Sequence, residues 1–210
     1  MTRAIKNKRR TAWHIAALLS LALPSMASTQ FSDSYTFLKA VRDQDGAKVT
    51  DFLGKPGSTI VNTRDVGTGE TALHIVIARR DSSWMAFLLS RGANANLADR
   101  TGNTPLLLAT QLRFLEGIQL LLASGAQVDK PNGSGETPLI RAVQLRDLGV
   151  IRMLVSGGAN PDKRDTLAGL SARDYADRDG RNPAIIEALN AAKTAVPKPS
   201  TKAPVQGPTF

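Results

Sequence analysis

Residues 102–129 read GNTPLLLATQLRFLEGIQLLLASGAQVD. The pattern returns 33 residues later, at 135–162, as GETPLIRAVQLRDLGVIRMLVSGGANPD. It also stands 33 residues earlier, at 69–96, as GETALHIVIARRDSSWMAFLLSRGANAN. Three copies at one fixed period, with no insertion between them, predict a stack of repeats in which each unit needs a neighbour to bury its apolar face.

Within each copy the spacing predicts two helices. Thr71, Thr104 and Thr137 stand where a hydroxyl can accept an orphan amide of the first turn. Pro105 and Pro138 follow at the first helical position, where the missing N–H is harmless. The sets Leu73/Val76/Ile77, Leu106/Ala109/Thr110 and Leu139/Ala142/Val143 recur at i, i+3, i+4 and mark one buried face of the first helix, helix A. Met85/Leu88/Leu89, Ile118/Leu121/Leu122 and Ile151/Leu154/Val155 do the same for helix B. Gly92, Gly125 and Gly158 follow, suited to a left-handed helix end, and Gly102, Gly135 and Gly169 punctuate the turns into the next unit.

The combination resembles the ankyrin repeat. Thr104-Pro105-Leu106, Leu121-Leu122, Gly125-Ala126 and their copies carry the likeness over residues 35–190. The resemblance implies an all-α fold, an ankyrin-repeat solenoid of stacked helix-turn-helix units with short β-turn or hairpin connections. It also implies a protein partner bound on a concave face of turn tips and helix A surfaces. Aligned positions then give Arg79, Arg100, Asn103, Leu108, Gln111, Arg141, Gln144, Arg164 and Tyr175 as partner-binding residues, with Ile75, Thr101, Ser134 and Glu136 beside them. The family histidine of the first helix appears once, as His74; Leu107 and Ile140 replace it, and Asp174 lies nearby in the last unit. The family's usual glycine between helices A and B is replaced by Arg80, Arg113 and Arg146. That row has two readings, an arginine ladder for an acidic partner or cations placed on helix C-terminal dipoles. Asp81 and Asp147 follow and are suited to cap helix B.

Around the three regular copies the chain divides further. Residues 1–27 read as a secretory signal: a basic start, an apolar run from Ala12 to Leu23, then Pro24 and the small residues Ser25 and Ala27, with cleavage after Ala27. The run covers ~18 Å as a helix, short of a ~30 Å hydrocarbon core, so no stable membrane span is expected once it is removed. Arg9-Arg10 raises a twin-arginine signal, but Thr11-Ala12-Trp13 is a poor context and no cofactor motif calls for folding before export. The compact signal is of bacterial type and predicts a periplasmic or secreted protein. Residues 28–34 form a polar lead-in. Residues 35–70 make a degenerate first repeat with a connection three residues longer than the others. Repeats follow at 71–103, 104–136 and 137–170. A C-terminal cap at 171–190 comes after a connection with one extra residue. Residues 191–210 are Pro- and Lys-rich, the composition of a disordered tail, with lysines suited to a weak contact with wall or membrane.

Charge and chemistry exclude much. The chain of 210 residues carries a net charge of +9, but the excess lies at its ends. Residues 1–27 hold five basic side chains and no acid, residues 191–210 hold three and none, and between them 19 Lys and Arg face 18 Asp and Glu. A nearly neutral body removes the electrostatic case for nucleic acid. With no cysteine there is no disulfide, thiolate site or thiol nucleophile. His74 sits at a structural position, and no metal-ligand spacing or phosphate-cradling loop appears. Asp162, Asp165, Asp174, Asp177 and Asp179 do not match an EF-hand loop. The sequence therefore predicts no enzyme, cofactor or metal. It predicts an exported interaction module; a periplasmic inhibitor or immunity-type protein and an envelope-anchoring protein are the alternatives.

Overall fold

The computed structural model describes residues 26–191. Residues 1–25 and 192–210 lie outside the described part, and with them nearly all of the expected signal and tail. The first helix, α1 (Met26–Arg42), is followed by α2 (Gly46–Gly54) and a 3₁₀ turn (Ile60–Asn62). Four helix pairs come next: α3 (Ala72–Ala78) with α4 (Ser82–Ser90), α5 (Pro105–Gln111) with α6 (Leu115–Ala123), α7 (Pro138–Gln144) with α8 (Leu148–Ser156), and α9 (Ala172–Asp179) with α10 (Pro183–Ala191). The expected lead-in at 28–34 is part of α1, because no glycine or proline interrupts the chain from Met26 until Gly46.

The helices stack in two rows. Helices α1, α3, α5, α7 and α9 pack successively as one row, and α4, α6, α8 and α10 as the other. Leu73, Val76, Leu106, Ala109, Leu139 and Ala142 from the first row meet Met85, Leu88, Ile118, Leu121, Ile151 and Leu154 from the second, all fully buried or within 1% of it. The outer row opens between α2 and α4, where Gly46 and Thr50 face Trp84 and Phe87 across a cleft of about 360 Å³.

Helix starts follow the predicted chemistry. The hydroxyls of Thr104 and Thr137 accept the amides of Leu107 and Ile140, both at 3.2 Å. Ser171 and Asp174 cap each other reciprocally at the start of α9. Asp81 and Asp147 cap α4 and α8 by accepting from Trp84 and Val150. At the start of α6 this place is taken by Phe114, which is buried and lies over Gly117; a Cβ there would stand 2.3 Å from its ring.

Between units the chain projects as fingers, at residues 65–70, 99–103, 132–136 and 165–170. Each closes with a backbone bond between its ends, for example Asp99 N–H to the Asn103 carbonyl at 2.9 Å. Asp65, Asp99, Asn132 and Asp165 each turn a side-chain oxygen inward to accept two finger amides. Among the described residues the only β-bridge is Arg164 with Ser171, so the connections are turns and not strands. Adjacent fingers are joined by single backbone bonds, from Arg100 to Thr68, Gly133 to Thr101 and Thr166 to Ser134, each at 3.0–3.1 Å.

That close approach explains two sets of glycines. Gly69, Gly102 and Gly135 have φ of 74–85°, and a Cβ at each would stand 2.5–2.8 Å from a backbone nitrogen of the next finger. Gly125 has φ of 79° but open space around it. Gly102→Ala should therefore destabilise by about 2–4 kcal/mol, through left-handed strain plus displacement of a finger, and Gly125→Ala by about 1–2 kcal/mol through strain alone. Urea unfolding checks this, and equal losses would contradict the stated role of finger contact. Thr110 is fully buried with an unpartnered hydroxyl where the neighbouring units have Ile77 and Val143. Thr110→Val should raise stability by about 1 kcal/mol, since the hydroxyl is desolvated without a partner; an unchanged or lower urea midpoint would show that the hydroxyl is bonded.

Candidate partner-binding surface

Helix A of each unit presents one variable position toward the finger side. In register these are Ile75, Leu108, Arg141 and Tyr175. Ile75 and Leu108 are half-buried against the core, Arg141 and Tyr175 are half-buried, and one turn further Gln111 and Gln144 are exposed. The row thus passes from apolar to polar along the array.

At its polar end the structure brings together Glu136, Arg141, Gln144, Asp165, Leu167 and Tyr175 around a pocket of about 280 Å³. Arg141 Nη2 donates to Glu136 Oε2 at 2.7 Å, and Asn132 Nδ2 donates to the same oxygen at 3.3 Å. The Tyr175 hydroxyl donates to Asp165 Oδ2 at 2.6 Å. This bond to a carboxylate, with partial burial and the charge itself, raises the Tyr175 pKa. Burial acts to raise the Asp165 pKa, but the Tyr175 hydroxyl and the amides of Ala168 and Gly169 outweigh it and hold the carboxyl below its usual range. Three of the predicted residues, Arg141, Gln144 and Tyr175, therefore meet at one site.

The other predicted cations are held by the array. Arg79 donates to the Val41 carbonyl at 2.7 Å, pairs with Asp81 and lies 5.4 Å from the Trp84 ring centroid. Arg100 donates to the Val66 carbonyl. Arg164 donates to the Gly169 carbonyl at 2.6 Å and pairs with Asp174 at 2.9 Å. Asn103 is structural as well: its amide nitrogens reach Asp99 and Thr101, its side-chain oxygen accepts from Asn132 at 3.3 Å, and its carbonyl meets His74 Nε2 at 3.0 Å.

The arginine row has a role that neither sequence reading anticipated. Arg80, Arg113 and Arg146 all sit in the left-handed region, with φ of 54–56°, as does Gln44 in the first unit. Each side chain reaches forward to the next unit. Arg80 donates to the Leu112 carbonyl, Arg113 to the Leu145 carbonyl at 2.9 Å, and Arg146 to the Asp179 carboxylate. Leu112 and Leu145 cap the C-terminal ends of α5 and α7, so the cation does sit on a helix dipole, but that of the following unit.

His74 is almost fully buried, and burial lowers its pKa. Because its Nε2 faces a carbonyl, that nitrogen carries the hydrogen, and Nδ1 accepts from the Thr71 hydroxyl at 2.9 Å. It is a neutral tie between units. Among the described residues no group of His, Cys, Asp or Glu could hold a metal, and no helix is long and apolar enough to cross a membrane.

Three residues of the pocket, Asn132, Asp165 and Leu167, were not among the predicted partner-binding residues. Asp165 stands in the sequence among five aspartates that match no EF-hand loop, and Asn132 and Leu167 carry no motif. The signal for Leu167 is the one-residue-longer fourth finger, which leaves its side chain 83% exposed; Val66, on the similarly longer first finger, is 67% exposed.

Comparison with known families agrees with this architecture. Residues 37–132 match ankyrin repeats in a three-copy form, and residues 115–155 match ankyrin repeats in a many-copy form. Together the two spans cover more than half of the chain, which belongs to the ankyrin-repeat family. Members of the family generally mediate protein–protein interaction and are typically non-enzymatic, and neither match is to a catalytic family.

The finger carboxylates make stability depend on acid. Burial acts to raise the Asp99 pKa, but bonds from Thr101 and Asn103 outweigh it and leave it lowered. Bonds from Thr68, Arg42 and Gly67 lower that of Asp65. A depressed carboxyl pKa stabilises the fold above the unfolded value near ~3.9, and that stability is lost as pH falls through the folded value. The thermal midpoint should thus fall as pH drops below about 4. Asn132 does the same work without charge, so Asp99→Asn should fold and show a flatter acid dependence. Equal acid sensitivity in the variant would assign the loss to other groups.

Proposed function

We propose that this chain is exported to the periplasm or beyond and acts there as an interaction module. It holds a protein partner on the concave face made by the helix A row and the finger tips. The observation that carries this reading is the contrast within each unit. The caps, finger glycines and forward-reaching arginines repeat in register, whereas Ile75, Leu108, Arg141 and Tyr175 differ at one shared position, and the last two of them line the pocket. A scaffold whose supports repeat and whose presented side chains vary offers a preformed surface, which limits the ordering cost of association. The order of basic, apolar and small residues over 1–27 supports export.

The test is affinity capture from the envelope fraction with the full chain and with Leu108→Asp and Tyr175→Ala. A partner specific to this face should be recovered at least ~10-fold less well with either variant, as for central interface residues. Arg152→Ala, on helix α8 of the opposite row, should leave recovery unchanged. Equal recovery with all variants would contradict the concave-face assignment. N-terminal sequencing of the recovered protein should begin at Ser28, and a start at residue 1 would contradict cleavage of the signal.

A further inference from the structure

The pocket beside Tyr175 has a chemistry that narrows what enters it. Its two carboxylates, Glu136 and Asp165, belong to residues each only 8% exposed, and its one cation, Arg141, is already paired with Glu136. The lining therefore carries one net negative charge at neutral pH. An entering anion would meet both carboxylates, while the guanidinium that could receive it gives Nη2 to Glu136 and keeps its unpartnered Nε buried.

The remaining acceptors also select among cations. Both Asp165 oxygens and Glu136 Oε2 already accept hydrogen bonds. The carboxylate pair that a planar guanidinium fork requires is therefore not presented by either residue. What remains is dispersed: Glu136 Oε1, the Ser134 hydroxyl and the Gln144 side chain, which also hydrogen-bonds the Tyr175 hydroxyl. Scattered acceptors suit the three donors of an ammonium group, which point in different directions. At the rim, exposed Leu167 gives an aliphatic stem an apolar wall. The Tyr175 side chain lines the same pocket.

We propose that this pocket is a subsite for a lysine side chain of the protein partner. Its ammonium meets Glu136, Ser134 and Gln144, and its stem lies against Leu167 and Tyr175. The proposal rests on the interaction-module reading given above and adds to it the chemistry of one contact.

The test uses the full-length protein and four small probes: the Nα-acetyl amides of lysine, norleucine, arginine and glutamate. Backbone amide shifts of Gln144, Leu167 and Tyr175 are followed by nuclear magnetic resonance. The lysine amide should give saturable shifts confined to this site. Norleucine and arginine amides should bind at least ~5-fold more weakly and the glutamate amide not at all, because one lacks the charge, one mismatches the acceptors and one is repelled. Glu136→Gln should weaken the lysine amide by about 5–10-fold, as expected for loss of a charged partner. Leu167→Ser, at an exposed rim position that does not touch the fold's supports, should weaken it by about 2–3-fold through the stem.

No saturable shift up to about 50 mM, a tenfold weaker range than a ~5 mM fragment affinity, overturns the proposal. Norleucine binding as well as lysine makes the site apolar only, and arginine or glutamate binding as well as lysine contradicts the selection of an ammonium; each overturns it. These results separate from the interaction reading. A Leu108-dependent partner with no lysine response contradicts the subsite alone, and a lysine response in a chain that retains no partner contradicts the module alone.

Discussion

Each unit of this protein depends on the next, because helices of seven to nine residues cannot bury their own apolar faces. Three lines of contact run along the stack to enforce that dependence. The fingers touch backbone to backbone through glycines that leave no room for a side chain. The arginines between helices A and B reach forward to the helix ends of the following unit. At the base of the fingers, Asn62 and Asn96 each bridge to the unit after. Asn62 donates to the Gly92 carbonyl at 3.2 Å and accepts the Asn94 amide at 2.7 Å, and Asn96 does the same with Gly125 and Gln127. Asp129 continues the line as an acceptor only, taking the Asn160 amide at 2.9 Å.

This division decides which charges remain for recognition. A basic chain with arginines at a strict period invites an acidic partner, yet most of those guanidiniums end on carbonyls or carboxylates of the same chain. The net positive charge belongs to the terminal segments. Of the side chains that vary at one register position, Ile75 and Leu108 lie against the core, and Arg141 and Tyr175 line a mildly negative pocket with an apolar rim. Under the proposed function, recognition and stacking draw on different positions in each unit, which lets the presented residues change without loosening the array.

The repeat period, the threonine caps, the aspartate caps of α4 and α8 and the glycine turns were legible in the sequence, because each is a local choice repeated in register. The Asn62/Asn96/Asp129 line recurs at 34 and 33 residues, but its meaning lies in a neighbour about 30 residues away, which spacing alone does not supply. The arginine row shows the same limit. Its period marked it as meaningful, while its left-handed backbone and forward reach depend on where the next helix ends. The pocket was half legible. Arg141, Gln144 and Tyr175 follow from aligned positions; Asp165 is in register with Asp99 and Asn132 but turns inward to its own finger, and Leu167 enters because the last finger is one residue longer and so displaces its tip.

The forward-reaching arginines test this picture most directly. Arg80, Arg113 and Arg146 changed together to alanine keep a left-handed L-residue at each turn and remove only the contacts to the next unit. If those contacts clasp the array, the urea midpoint falls, by about 0.5–1.5 kcal/mol for each bond lost. Glycine at the same three positions should recover part of the loss by relieving the backbone. An alanine triple variant as stable as the parent would contradict the clasp and return the row to the solvent-facing ladder that its spacing first suggested.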